Sequence, residues 1–191
     1  MAELDRLCRK LTVILVPIYQ QNPFCLQTGG LLFVFFALLL AGCNSKTLPS
    51  LTNPQASSEA LALAVLDALR TEDIDQLGSL ALNGQEFRDV VWPELPSSRP
   101  ERGLPVSYAW NDLNQKSRNA LKRLVNRWGG RAFTLLGTAY DGETTHYETF
   151  SVHRETRLHL RDDNGEEHEV HLYGSTLVRG NEFKVFSFVV D

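Results

Sequence analysis

Imidazoles beside a carboxylate are the usual makings of a metal site, and the C-terminal third of this chain holds His153, His159 and His171 near Glu169. All are odd-numbered, so on extended strands they share one face of a sheet. His159 and His171 would then be diagonal neighbours, roughly 7 to 8 Å apart between backbone positions, which does not by itself close around an ion. The string His168-Glu169-Val170-His171 has the look of a ligand motif, yet on a strand its two histidines point to opposite faces. The expectation is a solvated polar ladder, with no metal and no cofactor.

Arg154 stands between Val152 and Thr156 on a row expected to face inward. A guanidinium on an apolar face needs a counter-charge. A carboxylate or phosphate ligand could supply it; so could Glu86 or Asp89, and a bulge could instead turn the side chain out. Trp92, Tyr108 and Trp110 flank a loop broken by Pro93, Pro96, Pro100 and Pro105. They form either the aromatic rim of a ligand site or pins that hold the loop to the core. Arg154, Trp92, Tyr108 and Trp110 are therefore the pocket candidates. No phosphate loop, nucleophile elbow or Ser/His/Asp grouping is present, so no catalytic residue is assigned.

The elements that must position these residues are legible in the periodicity. The stretch SSEALALAVLDALRTED carries a serine cap, an acid in the first turn and Leu61, Val65, Ala68 and Leu69 on one face. A short second helix starting at Asp73 or Asp75 turns Leu77, Leu80 and Ala81 inward, and a further helical turn extends up to Val91 before the prolines enforce an extended loop. The longest helix is expected to start at a capping box of Asp112 and Gln115, to bury Leu113, Ala120, Leu121, Leu124 and Trp128, and to stop at Gly129 and Gly130. Its other face holds Lys116, Arg118, Lys122, Arg123 and Arg127. Such a face either meets lipid headgroups, lipopolysaccharide or an acidic partner, or is simply solvated, with its later cations suiting the helix C-terminus.

From Arg131 the period changes to two. RAFTLLGTAY, THYETFSVHRETRLHL, EEHEVHLYGSTLV and EFKVFSFVVD alternate and are separated by DGE, DDNGE and RGN, which predicts a four-strand antiparallel meander. Opposed residues share a face, so their numbers must sum to an even value. A three-residue loop Asp163-Asn164-Gly165 satisfies this, setting Leu158 opposite Val170, Arg161 opposite Glu167 and His159 opposite Glu169; a two-residue Asn164-Gly165 turn does not. The same register puts Arg154 across from Gly174, whose missing side chain leaves room for the guanidinium. In the last hairpin Phe183, Val185 and Val189 face inward, while Phe186, Phe188 and Val190 join Tyr173 and Leu177 on the outer face. An apolar cluster there marks contact with another chain unless the chain's own loops shield it, so Tyr173, Leu177, Phe186 and Phe188 are interface candidates for a homodimer.

Upstream of the helices, Leu31 to Leu40 is charge-free but shorter than the roughly 20 residues a membrane-spanning helix needs. It has the length of a signal-peptide core, and Leu40-Ala41-Gly42-Cys43 follows it. That string resembles the lipobox of bacterial lipoprotein precursors. The resemblance implies a diacylglycerol thioether on Cys43 and removal of residues 1–42. One feature departs from the pattern, since Arg6, Arg9 and Lys10 lie far upstream of the core. Either the chain starts downstream of Met1 or the leader is long. An uncleaved anchor using Leu11–Tyr19 and Gly30–Gly42 is the alternative, opposed by Pro17 and the polar run from Gln20 to Pro23.

All three cysteines, Cys8, Cys25 and Cys43, lie at or before that cut, so the exported part has no thiol pair. Residues 43–57, rich in Ser, Thr, Asn and Pro, read as a flexible tether, and residues 58–191 as a single α+β domain. Asn44 stands where an aspartate would resemble an inner-membrane retention signal, so sorting to an outer membrane, facing the periplasm, is favoured where two membranes exist. A net charge of −4 gives no general attraction to nucleic acid.

Helices followed by a meander form an α+β pattern. The element order resembles the nuclear-transport-factor-like or cystatin-like superfamily, which implies helices packed on a curved, cone-like sheet. Isomerases and dehydratases of that superfamily place an acid or histidine deep in the cone, but no residue here matches those roles. The leading expectation is a lipid-anchored envelope protein with a non-catalytic domain binding a small ligand or a protein. The alternatives are a small enzyme of the same cone fold and a self-associating structural protein.

Overall fold

In the computed structural model, which describes residues 49–190, helix α1 (Ser58–Arg70) begins where extended Ser57 accepts the Ala60 N–H at 3.1 Å. Leu61, Val65, Ala68 and Leu69 are wholly buried, as their spacing requires. Helix α2 (Ile74–Ser79) is capped by Asp73, which accepts the Gln76 N–H at 2.8 Å, and buries Leu77. The leader and Cys43 lie outside the described residues. Among those described, no helix is long and apolar enough to cross a membrane.

The stretch expected to loosen after one turn stays coiled. Asn83 and Glu86 form a reciprocal capping box at the start of helix α3 (Gly84–Glu86), which continues as a wide π-type turn over Phe87–Val91 and a 3-10 turn over Trp92–Glu94. Pro96–Ser98 and Pro100–Arg102 each form another 3-10 turn. Proline bars a helix interior but suits the first position of a turn, where its missing N–H has no partner to lose. For the same reason the long helix α4 (Val106–Trp128) starts directly after Pro105, ahead of the expected cap. Asp112 is no cap: it lies inside the helix and pairs with Lys116 at 2.8 Å. Gly129 ends α4 by donating its N–H to the Val125 carbonyl at 2.8 Å, and Gly130 takes the left-handed conformation at φ 72°.

The meander is present in connectivity but bent into two sheets. One has the order β1 (Phe133–Tyr140), β4 (Thr156–Asp162), β5 (Glu167–Val170). The other has the order β2 (Thr144–His146), β3 (Ser151–Arg154), β6 (Ser175–Arg179), β7 (Glu182–Ser187). The β4–β5 register is the expected one, with Leu158 opposite Val170, His159 opposite Glu169 and Arg161 opposite Glu167. Gly165 takes the left-handed conformation, φ 84°, that the three-residue loop demands.

Between β3 and β4 the register slips by one. Glu155 sits at φ 52°, and Arg154 faces Ser175, not Gly174. A one-residue slip turns a strand over. Leu158 and Leu160 therefore join Leu61, Leu69, Leu121, Leu124, Tyr173, Val185 and Phe188 in one core. Phe150 and Val152 join Leu51, Leu82, Phe87, Val90, Val91 and Leu177 in a second. The β2–β3–β6–β7 sheet is thus packed on both faces, with α1 contacting β7 on one side and the coiled segment after Asn83 roofing the other.

Packing on both faces overturns the exposed outer face. Tyr173 and Phe188 are buried in the first core, Leu177 is buried in the second and Phe186 is half-buried against the second. They therefore form no exposed apolar patch of the kind expected for an interface. Arg154 points to solvent, because the bulge turns it out. The space over Gly174 belongs to the C-terminal strand: a β-carbon there would lie 1.6 Å from the Val189 carbonyl oxygen.

The tether is also shorter than expected. Leu51 is buried, and Gln55 exchanges both backbone hydrogen bonds with Phe183 at 2.9 and 2.8 Å. Residues 51–55 therefore belong to the domain, as a strap along β7.

Candidate functional site

Between α2 and α4 lies a cleft of about 320 Å³. Its floor is apolar, made by Leu82, Leu121, Phe186 and Phe188. Ser117 on α4 ties that floor to the helix by accepting the Phe188 N–H at 3.0 Å. Ile74, Asp75, Trp110, Asn114 and Arg118 stand around it. Trp110 is set by its stacking on Phe87, ring centroids 5.4 Å apart, and by Gly84, where a β-carbon would come within 2.9 Å of the indole nitrogen. Among the described residues Arg118 pairs with no carboxylate. The titratable groups lining the cleft among the described residues are Asp75 and Arg118, both exposed. It thus combines an apolar floor with a polar lip that carries one carboxylate, Asp75, and one guanidinium, Arg118, which can meet the anionic end of an amphiphile.

Of the four pocket candidates read from sequence, Trp110 alone lines this cleft; Phe186 and Phe188, expected on an outer interface, form its floor. Trp92 lies 6.0 Å from Phe87 and pins the coiled segment to the second core. Tyr108 is 65% exposed on the first turn of α4. Arg154 does not line the cleft; its strand runs between β2 and β6.

The deepest charges are elsewhere. Lys184, 1% exposed, donates to both Glu86 carboxylate oxygens at 3.0 and 2.9 Å and to the Thr52 carbonyl at 2.6 Å. Glu86, 5% exposed, also accepts the Thr52 N–H at 2.5 Å and the Asn83 N–H at 2.9 Å. Every oxygen and the ammonium are occupied, so the pair locks the strap, α3 and β7 together and leaves no group free for proton transfer. The Asn83-x-x-Glu86 spacing was the visible signal for half of it. Lys184 had none, because it follows Phe183 and precedes Val185 in a strand that reads as apolar.

The histidines form several separate contacts. His159 bonds Glu167 at 2.9 Å, Arg157 takes Glu169 at 2.7 Å, and His171 meets the Thr156 carbonyl at 3.2 Å. His153 stacks on Tyr140, centroids 4.4 Å apart, and bonds Thr144 through Nδ1. Burial, then nearby His146, holds its pKa below the usual histidine range. One group brings ligand atoms within 4.8 Å of one another: Asp162, Glu166 and His168. Asp162 is already engaged there, bonding His168 and accepting the Asn164 and Glu166 N–H groups of the hairpin turn. The His168 hydrogen bond is the main reason its carboxyl sits below the usual range. These contacts account for the group as a turn lock.

Compared with known proteins, the chain matches no family model, no curated protein and no solved structure.

Proposed function

We propose that this chain is a lipid-anchored cell-envelope protein, carried on Cys43, whose α+β domain is a non-catalytic binding module. The ligand is a small amphiphile with an anionic end, its apolar part on Phe186, Phe188 and Trp110 and its charge at Arg118. The observation that supports it is the cleft between α2 and α4, where an apolar floor meets an unpaired guanidinium and no buried acid or histidine. The lipobox string at Leu40 to Cys43 supports the anchor.

Titration of the protein with dodecanoate, read by Trp110 fluorescence, tests the cleft. Saturable binding is expected, weakened about tenfold or more in Arg118→Gln through loss of one charge-assisted hydrogen bond. A linear, non-saturating response overturns the cleft assignment. For the anchor, Cys43→Ser abolishes the added diacylglycerol mass and releases the protein from membranes. Retention at unchanged mass refutes lipidation.

A further inference from the structure

Helix α4 carries Lys116, Arg118, Lys122, Arg123 and Arg127 against one acid, Asp112, so its net charge is +4 (5 − 1). The whole chain has 19 basic and 23 acidic groups, so the rest, with 14 basic and 22 acidic, is at −8. The positive charge is therefore concentrated on one element of an otherwise acidic protein. Every exposed position from Asn111 to Arg127 is Asn, Gln, Asp, Lys or Arg.

Among the described residues none of Arg118, Lys122, Arg123 and Arg127 pairs with a carboxylate; Lys116 alone does, with Asp112. Arg118 with Lys122, and Arg123 with Arg127, are like charges four residues apart, a spacing that works against the helix. Solubility alone is met by interspersed signs. The helix keeps a surface that repels itself and that an outside anion would neutralise.

We infer that the exposed ridge of α4 is a docking surface for an anionic lipid bilayer. Charge complementarity is the first support. The second is composition: protein interfaces are built around apolar or aromatic anchors at their centre, and the exposed positions between Asn111 and Arg127 carry none. A plane of anionic headgroups requires only long cationic side chains that can reach it. The third is Tyr108, exposed at the other end of the same line, since Tyr108, Gln115 and Lys122 follow at seven-residue spacing. A tyrosine there has the amphipathic character of a headgroup-level anchor. Because the apolar stripe of α4 is spent on the protein core, the helix lies on the membrane without inserting. This contact shares Arg118 with the cleft but needs neither the cleft ligand nor Cys43, and Lys122, Arg123 and Arg127, which do not line the cleft, test it separately from both.

The unit Thr47–Asp191 contains both hydrophobic cores and lacks Cys43. It is tested by sedimentation with vesicles of phosphatidylcholine alone and of phosphatidylcholine containing phosphatidylglycerol. Binding is expected only to the anionic vesicles, and to fade as salt shortens the Debye length from about 10 Å toward 3 Å. Arg123→Gln with Arg127→Gln lowers the partition coefficient about 25-fold, at about fivefold per cation. Lys122→Gln with Arg123→Gln does the same and leaves the cleft's Arg118 in place, which keeps the test intact if the first pair disturbs the end of the helix. Arg161→Gln, which removes a cation already paired with Glu167 at 2.7 Å, leaves binding unchanged. Equal binding to both vesicle types, no binding to the anionic ones, or tight binding to soluble polyglutamate in place of vesicles overturns the assignment.

Discussion

Replacing Lys184 by methionine removes a charge from the centre of the domain while roughly keeping its volume. Glu86 then remains as a carboxylate 5% exposed, with two backbone N–H donors and no cation. Breaking a buried pair by removing one partner costs about 3 to 5 kcal/mol. The two remaining N–H groups place this case near the lower figure, so a loss of about 3 kcal/mol is expected. Domains of this size hold together by roughly 5 to 15 kcal/mol, and a loss of about 3 kcal/mol lowers Tm by roughly 10 °C. The loss has a location as well as a size. Lys184 also holds the Thr52 carbonyl, so the strap from Leu51 to Gln55 opens first, and the Gln55 N–H loses protection against hydrogen exchange before the centre of α1 does. Denaturant melts of Lys184→Met, Glu86→Gln and the double variant close a thermodynamic cycle. A coupling of at least about 1.5 kcal/mol is expected for groups in direct contact. Additive effects, or a Lys184→Met variant as stable as the parent, would refute the view that this pair ties strap, α3 and β7 together.

Three further outcomes follow from single side chains. Tyr173 is buried with no hydrogen-bond partner for its hydroxyl among the described residues, and burial pushes its phenol pKa up; Tyr173→Phe is therefore neutral or stabilising by up to about 1 kcal/mol in chemical melts. Gly174→Ala forces a methyl group against the Val189 carbonyl and lowers stability by about 2 to 3 kcal/mol or more, with loss of exchange protection at the Gly174 N–H that bonds Ser187. His153 binds its proton less readily when folded than when unfolded, so the unfolded chain takes up more protons as pH falls through and below the ordinary histidine range of about 6.5. Stability conferred by the neutral ring is present above that range and lost below it, and His153→Asn shows a shallower fall between about pH 7.5 and 5 in melts than the parent does.

The sequence by itself determined what neighbouring residues decide among themselves. The buried stripe of α1, the Ser57 and Asp73 caps, the glycine stop of α4 and the Asp163 to Gly165 hairpin register all rest on residues within one or two turns of one another, where spacing and turn chemistry leave few choices. Tertiary structure alone decided the rest. The slip at Glu155 sends Val152 and Leu158 into different cores, although both obey the same alternation. The coiled segment after Asn83 roofs Leu177, while Tyr173 and Phe188 pass into the core under α1 and α4, so residues that read as one exposed sheet face are divided between two cores. Lys184 is buried by partners 98 and 132 positions away. Alternation states only that two faces differ; what covers each face depends on contacts between distant parts of the chain, and no local pattern records them.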